Sequence, residues 1–198
     1  MLAAAILAAG ESSRMGQPKA LLPYQGVTFV QHLAEAVRHP RIGVSRIVLG
    51  AGAAEIRARL SVAPEEIVIN DRWAEGQLSS IHAALRALPT DGSIEGLLLC
   101  PVDHPLISAH LVDALIEKFD GSAKSVVLPT FEGRRGHPVI FRASLFAALL
   151  EAPPEVGARQ VVWDNAHDVL EVPTQEEGVL LNLNDPNTLR RAIGRPEA

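Results

Sequence analysis

The sequence predicts an α/β fold on a largely parallel sheet, and three observations carry that expectation. Short apolar runs alternate with longer stretches of helical periodicity along the 198 residues. Ala, Leu and Val are abundant while aromatics make up only 4%, which suits helices packed on an aliphatic sheet. No repeat, low-complexity stretch or Gly/Ser/Pro-rich linker divides the chain, so residues 1–198 are expected to form a single domain.

The strand candidates, in order, are 2–8 (LAAAILA), 46–50 (RIVLG), 66–70 (EIVIN), 96–100 (GLLLC), 125–129 (SVVLP), 138–141 (PVIF) and 179–183 (VLLNL). Helical patterns lie between them. Residues 28–37 begin with Thr28 and carry Gln31 three positions on, the spacing of a capping box. In SSIHAALRAL, Ile81, Ala84, Leu85 and Leu88 fall on one helical face. Residues 108–119 repeat that pattern with Leu111, Val112, Leu115, Ile116 and Phe119. Asp185 followed by Pro186 reads as a cap and first-turn pair opening a last helix over 186–193.

A net charge of −5 argues against a broad nucleic-acid-binding surface but leaves room for a local cationic pocket. The single cysteine, Cys100, has no internal partner and lies in an apolar run, as expected of a buried strand residue in a reducing compartment. No stretch approaches a transmembrane span and the N-terminal segment lacks the pattern of a secretory signal, so a cytoplasmic protein without membrane contact is expected.

The chemistry begins at residues 7–23, LAAGESSRMGQPKALLP, a loop leaving the first strand. In an open α/β sheet, ligands bind at the carboxyl edge of the strands. Gly10 and Gly16 offer backbone freedom for N–H groups to converge on an anion. Ser12 and Ser13 add hydroxyls, and Arg14 and Lys19 add positive charge. The spacing fits neither G-x-G-x-x-G nor a Walker A loop, which excludes a dinucleotide fingerprint and a P-loop.

The stretch resembles the nucleotidyltransferase signature LAAG-x-S-x-R-M-G-x-P-K-x-L-L, and the chain is similar to the molybdenum-cofactor nucleotidyltransferases, their cytidylyltransferase branch in particular. The resemblance implies a three-layer α/β/α, Rossmann-like domain. It also implies that the Leu7, Ala8, Ala9 and Gly10 backbone approaches base and sugar, that Arg14 meets the triphosphate and that Lys19 faces the α-phosphate. In such chemistry an acceptor phosphate attacks the α-phosphorus of a nucleoside triphosphate and pyrophosphate leaves. The enzyme must then hold two anions together and neutralise their charge.

Four further segments carry the resemblance. NDRWAEGQLSSI (70–81) reads locally as a turn at Gly76 and a cap at Ser79 or Ser80. It resembles the family's N-x-x-W-x-x-G-x-x-[ST]-S segment, which implies that Asn70, Gly76, Ser79 and Ser80 lie at the nucleotide base. In the family, LAAG with this segment accompanies cytidine transfer and LAGG accompanies guanine transfer, so Ala9 favours CTP. CPVDHPLIS (100–108) places Asp103 just past a strand, where a carboxylate beside phosphates calls for a cation, and the resemblance implies a Mg²⁺ ligand. GRRGHPVIF (133–141) reads as a hairpin with a basic tip. It matches the family's G-H-P-V-x-F segment, which implies that Gly136 and His137 line the acceptor pocket, with Arg134 and Arg135 near a phosphate.

LNLNDPNTL (181–189) departs from the family's D-[IV]-D-T-P: Asn182 and Asn184 stand at the acidic positions. An amide oxygen at Asn184 is still a hard ligand, so Asp103 and Asn184 are the expected metal pair, with Asp185 capping the last helix. The expected function is Mg²⁺-dependent transfer of CMP from CTP to a phosphorylated acceptor such as molybdopterin. Transfer to a sugar phosphate or another small phosphorylated acceptor, and a non-catalytic nucleotide-binding protein, stay open here. So does the recipient of the product, a molybdoenzyme or a chaperone.

Overall fold

The computed structural model describes residues 1–193, the side chains of Arg14, Pro186, Asn187 and Ile193 excepted. Its centre is β1 (Leu2–Ala8), in which all seven residues are buried. That burial follows from the fold, because a parallel strand covered on both faces reads as an unbroken apolar run. On one side β1 pairs in parallel with β4 (Ile42–Leu49), which in turn pairs with β5 (Ile67–Ile69). On the other side it pairs in parallel with β6 (Gly96–Pro101), where Ile6 faces Cys100. Beyond β6 the sheet continues through β9 (Val139–Arg142), β7 (Val126–Phe131) and β10 (Val169–Pro173). Only β9 and the two-residue β8 (Arg134–Arg135), which pairs with β7, run antiparallel in this sheet. A separate small hairpin joins β2 (Pro23–Tyr24) to β3 (Val27–Thr28).

Helices cover both faces, giving the expected three layers. The first face carries α1 (Phe29–Ala36), α2 (Ala53–Ala58) and α4 (Ala109–Asp120), with the last helix, α7 (Pro186–Ile193), packed beside them. The second carries α3 (Gln77–Arg86), α5 (Phe146–Glu151) and α6 (Ala158–Asp164). Alternation along β1 sorts its side chains between the layers: Leu2, Ala4, Ile6 and Ala8 meet the first, and Ala3, Ala5, Leu7 and Ala9 meet the second. Two of the predicted caps are present: Thr28 and Gln31 form a complete capping box, and Asp185 accepts from Thr188 N–H. Ser108, which the sequence did not mark, accepts from Leu111 N–H, whereas the cap expected at Ser79 or Ser80 is not one, because both lie inside α3, which Gly76 opens without a side-chain cap. Among the described residues no helix is long and apolar enough to cross a membrane.

The strand expected at 179–183 is not one. That run forms a short 3₁₀ turn (Glu177–Leu180) and then irregular chain, although Val179 and Leu183 are fully buried. Its backbone bonds go to loops: His137 N–H donates to Val179 O, and Leu183 N–H donates to Asp103 O. The apolar run signalled burial and not pairing. The missed strand is β10, an edge strand whose charged flanks and terminal Pro173 hide it and whose position tolerates proline.

Cys100 is fully buried, and burial pushes its thiol up to about 12. A thiol reagent at neutral pH is expected to leave the native protein unlabelled and to label one site once denaturant is added.

Candidate active site

A cleft of about 610 Å³ opens at the carboxyl ends of β1 and β6. Leu7, Ala9 and Gly10 form part of its wall, whereas Ala8 turns into the opposite core layer. Only alternate residues of LAAG can therefore present side chains to a ligand, and Ala8 contributes backbone alone.

The loop after β1 folds back on itself. Ser12 adopts a left-handed conformation (φ 57°), its carbonyl accepts Met15 N–H at 2.8 Å, and its hydroxyl accepts Lys19 N–H at 3.0 Å. Gly16, also left-handed (φ 68°), closes the short Ser13–Met15 turn at an exposed site outside the cleft wall. Gly16 thus shapes the loop from behind. Gly10 needs no unusual φ, and a β-carbon there would meet nothing within 4 Å. The space above Gly10 is open to the cleft. The Arg14 side chain, expected at the triphosphate, lies outside the described residues.

Lys19 and Asp103 both face the cleft, and the chain at 182–184 holds each in place. The Lys19 ammonium donates to the Asn184 side-chain oxygen. The Asn182 side-chain amide donates to Asp103 Oδ2 at 2.8 Å, and Leu183 N–H fastens the Asp103 carbonyl at 2.7 Å. Leu183, between the two asparagines, is fully buried. An amide can accept from an ammonium or donate to a carboxylate, so each asparagine grips one charge without adding another.

Among the described residues no group of three or more His, Cys, Asp or Glu offers a ready cage for a metal. One carboxylate and two amides are hard oxygen donors. They fit a Mg²⁺ delivered on a triphosphate, with Asp103 as its protein carboxylate, better than a free ion held by protein alone. Asn184, the second expected ligand, stands just behind the cleft wall with its oxygen engaged by Lys19.

The 70–81 segment divides its labour. Trp73, Gly76, Gln77 and Ser80 line the cleft, whereas Asn70 and Ser79 do not. Asn70 is a buried clamp: its amide donates to Ser79 Oγ at 2.8 Å and Ser80 Oγ at 3.0 Å, and its oxygen accepts Arg72 N–H. Gly76 (φ 99°, ψ −179°) starts α3 in a region essentially reserved for glycine. Gly50, which no sequence motif marks, supports the same wall. A β-carbon there would lie 2.5 Å from Trp73 Cβ and 2.7 Å from Ala9 O.

Opposite stand Arg134, Arg135, Gly136 and His137. Gly136 is needed for packing, since a β-carbon would lie 2.5 Å from Val179 O. The His137 and His104 rings meet at a tilt of 57° with centroids 4.6 Å apart, and the Nδ1 of each is buried without a hydrogen-bond partner in the structure. Burial lowers both imidazoles, His137 to about 4, so both are neutral at physiological pH and neither serves as a cation for phosphate. The sign of the linkage is fixed for His137. Between pH 6.5 and about 4 the unfolded chain binds a proton that the folded chain refuses. Its stabilisation is thus complete above 6.5 and is lost as pH falls toward 4, on the order of 3 kcal/mol over the window. Melting temperatures measured across this range are expected to fall with acid, and to fall less in His137→Gln. Arg159, from the first turn of α6, also lines the cleft. Sequence reasoning missed it because α6 carries no motif.

Comparison with known proteins adds five findings. The family model described as a MobA-like NTP transferase domain matches residues 4–169. Nicotine blue oxidoreductase of Paenarthrobacter nicotinovorans is 36% identical over 169 residues, covering 80% of this chain and 81% of that protein. The molybdenum cofactor cytidylyltransferase of Escherichia coli K12 is 26% identical over 185 residues, covering 92% and 90%. The crystal structure of Rv0371c from Mycobacterium tuberculosis shares the fold, with TM-score 0.83 and 24% identity over 98% of each chain. A manganese complex of that protein has TM-score 0.75 and 23% identity, over 98% of this chain and 99% of that one.

Proposed function

This chain belongs to the family of MobA-like NTP transferase domains, a nucleotidyltransferase family, and we propose that it transfers CMP from CTP to a phosphorylated pterin of the molybdopterin class. The observation that carries the reading is the arrangement of one cleft. Lys19 and Asp103 share its floor, the Trp73–Ser80 wall stands on one side, and the arginines of β8 stand on the other.

The chemistry follows from that layout. An oxygen of the acceptor's phosphate attacks the α-phosphorus of CTP, the bond to the bridging oxygen breaks, and pyrophosphate leaves. Lys19, pinned by Asn184, presents a fixed ammonium where negative charge accumulates. Ala9 and Trp73 line the wall assigned to the base, and the LAAG form of the loop supports cytosine. Arg134 and Arg135 supply the charge that brings a second anion beside the first. Asp103, oriented by Asn182, would hold a divalent ion, which when bound neutralises the triphosphate. The manganese-bound structure of Rv0371c supports a divalent ion in this fold.

The test is pyrophosphate release with Mg²⁺, each of CTP, GTP, UTP and ATP, and a molybdenum-loaded pterin. Release confined to CTP is expected. Release with GTP alone, or only with a sugar phosphate as acceptor, overturns the assignment of donor or acceptor.

The name of the 36%-identical relative favours a second reading, a nucleotide-dependent reduction in the same cleft. The absence of a G-x-G-x-x-G loop weighs against it. Oxidation of NADH or NADPH by the protein with a quinonoid dye, and no pyrophosphate release, would establish it in place of the first.

A further inference from the structure

The hydrogen bonds behind the Trp73–Ser80 wall fix a polarity that the cleft inherits. Asn70 follows β5, and its backbone N–H donates to Leu49 O at 2.7 Å. Its side-chain oxygen accepts Arg72 N–H at 3.0 Å. A backbone N–H can only donate, so the oxygen must face Arg72 and the NH₂ must face the serines. That NH₂ donates to Ser79 Oγ at 2.8 Å and to Ser80 Oγ at 3.0 Å. Ser79 passes its own hydrogen to Gly76 O at 2.8 Å and lies off the cleft. Ser80 is only 4% exposed, lines the cleft and, among the described residues, has no acceptor for its hydrogen. A buried hydroxyl that already accepts from Asn70 is left with a donor to satisfy, and a ligand in the cleft can supply the acceptor. Gln77, exposed on the same wall, can turn either end of its amide to a ligand and so does not discriminate.

Cytosine and uracil differ at two positions of the base edge. At the ring nitrogen N3 cytosine offers a lone pair and uracil a hydrogen, and at position 4 cytosine donates and uracil accepts. A hydroxyl fixed as a donor therefore favours cytosine only at N3. We propose that Asn70 is a positioning residue that selects the base through Ser80: it engages the Ser80 oxygen behind the wall, so that the Ser80 hydrogen meets N3 of cytosine. The inference rests on the base lying against this wall, as the proposed function has it. Uracil would bring a hydrogen to the same place, and Ser80 could accept it only by leaving its own hydrogen unpaired in a buried site. The residue that makes the choice stands outside the cleft and does not line it.

Calorimetry with Mg²⁺ and each of CTP, UTP and GTP tests it without any acceptor substrate. The parent is expected to bind CTP at least about tenfold more tightly than UTP. In Asn70→Asp the carboxylate accepts where the amide donated, so Ser80 turns its hydrogen inward and offers a lone pair to the cleft. The ratio of CTP to UTP affinity should then fall by at least about tenfold. The added charge weakens every triphosphate alike, and a loss of folded protein lowers all binding together, so both cancel from the ratio. Ser80→Ala removes the hydroxyl and should by itself bring CTP and UTP to within about threefold of each other. Asn70→Asp added to Ser80→Ala should change the ratio no further. Equal affinity for CTP and UTP in the parent overturns the inference. So does a ratio that stays within about twofold of the parent's in Asn70→Asp or Ser80→Ala, the result expected of a merely structural clamp. Tightest binding of GTP, in a protein whose ratio of CTP to UTP affinity still shifts, upholds the role of Asn70 and overturns the proposed donor.

Discussion

Lys19→Ala is expected to lower pyrophosphate release from CTP by about 10²–10³-fold, the usual cost of removing a fixed transition-state donor. Its melting temperature should stay within about 2 °C of the parent, because Lys19 is a partly exposed side chain. Lys19→Arg should recover only part of the rate, since a planar fork does not reproduce the compact ammonium that donates to Asn184. Release within about twofold of the parent would remove Lys19 from the reaction. The variant also separates the two readings of the cleft. Dye reduction has no transferring phosphoryl group to stabilise and should depend on Lys19 far less.

The second large effect is structural. Gly136→Val is expected to destabilise the protein by about 2–3 kcal/mol, the scale of overpacking, or roughly 4–12 °C in Tm. The new side chain would grow into Val179, whose carbonyl lies 2.5 Å from a β-carbon at position 136. Gly10→Ala is the contrasting case. With nothing within 4 Å and no positive φ, it should melt like the parent while raising the KM for CTP. A denaturation series on both variants, with kinetics on the second, separates a glycine required by packing from one that leaves room for ligand. Equal Tm in Gly136→Val and the parent would contradict the packing account.

The contrast also shows what could be read before the fold was known. Strands covered on both faces and helices with clean caps were legible, because burial and capping leave periodic marks on the sequence. The loop at 10–19 and Asp103 were legible as neighbours at the carboxyl edge of the sheet, and the fold brings Gly10, Ser12, Lys19 and Asp103 into one cleft. Roles within each motif were not. Asn70 sits in the base segment yet acts as a clamp behind it, and that follows only from its bonds to Ser79, Ser80 and Arg72. His137 stands in a basic segment yet is neutral, because its neighbours bury it. Arg159 and Gly50 were invisible for a different reason: each matters through residues distant in the chain, Arg159 through the cleft wall it joins, Gly50 through Trp73 and Ala9.

The two asparagines at 182 and 184 have a kinetic consequence. With amides gripping one ammonium and one carboxylate, positions 182 and 184 add no negative charge beside Asp103 before any nucleotide arrives. The cleft floor then has little power to recruit a bare divalent cation from solution. The ion would enter with the triphosphate, making the metal–nucleotide complex the true substrate. Rate would then follow the concentration of that complex, and pre-incubation with metal alone would gain nothing.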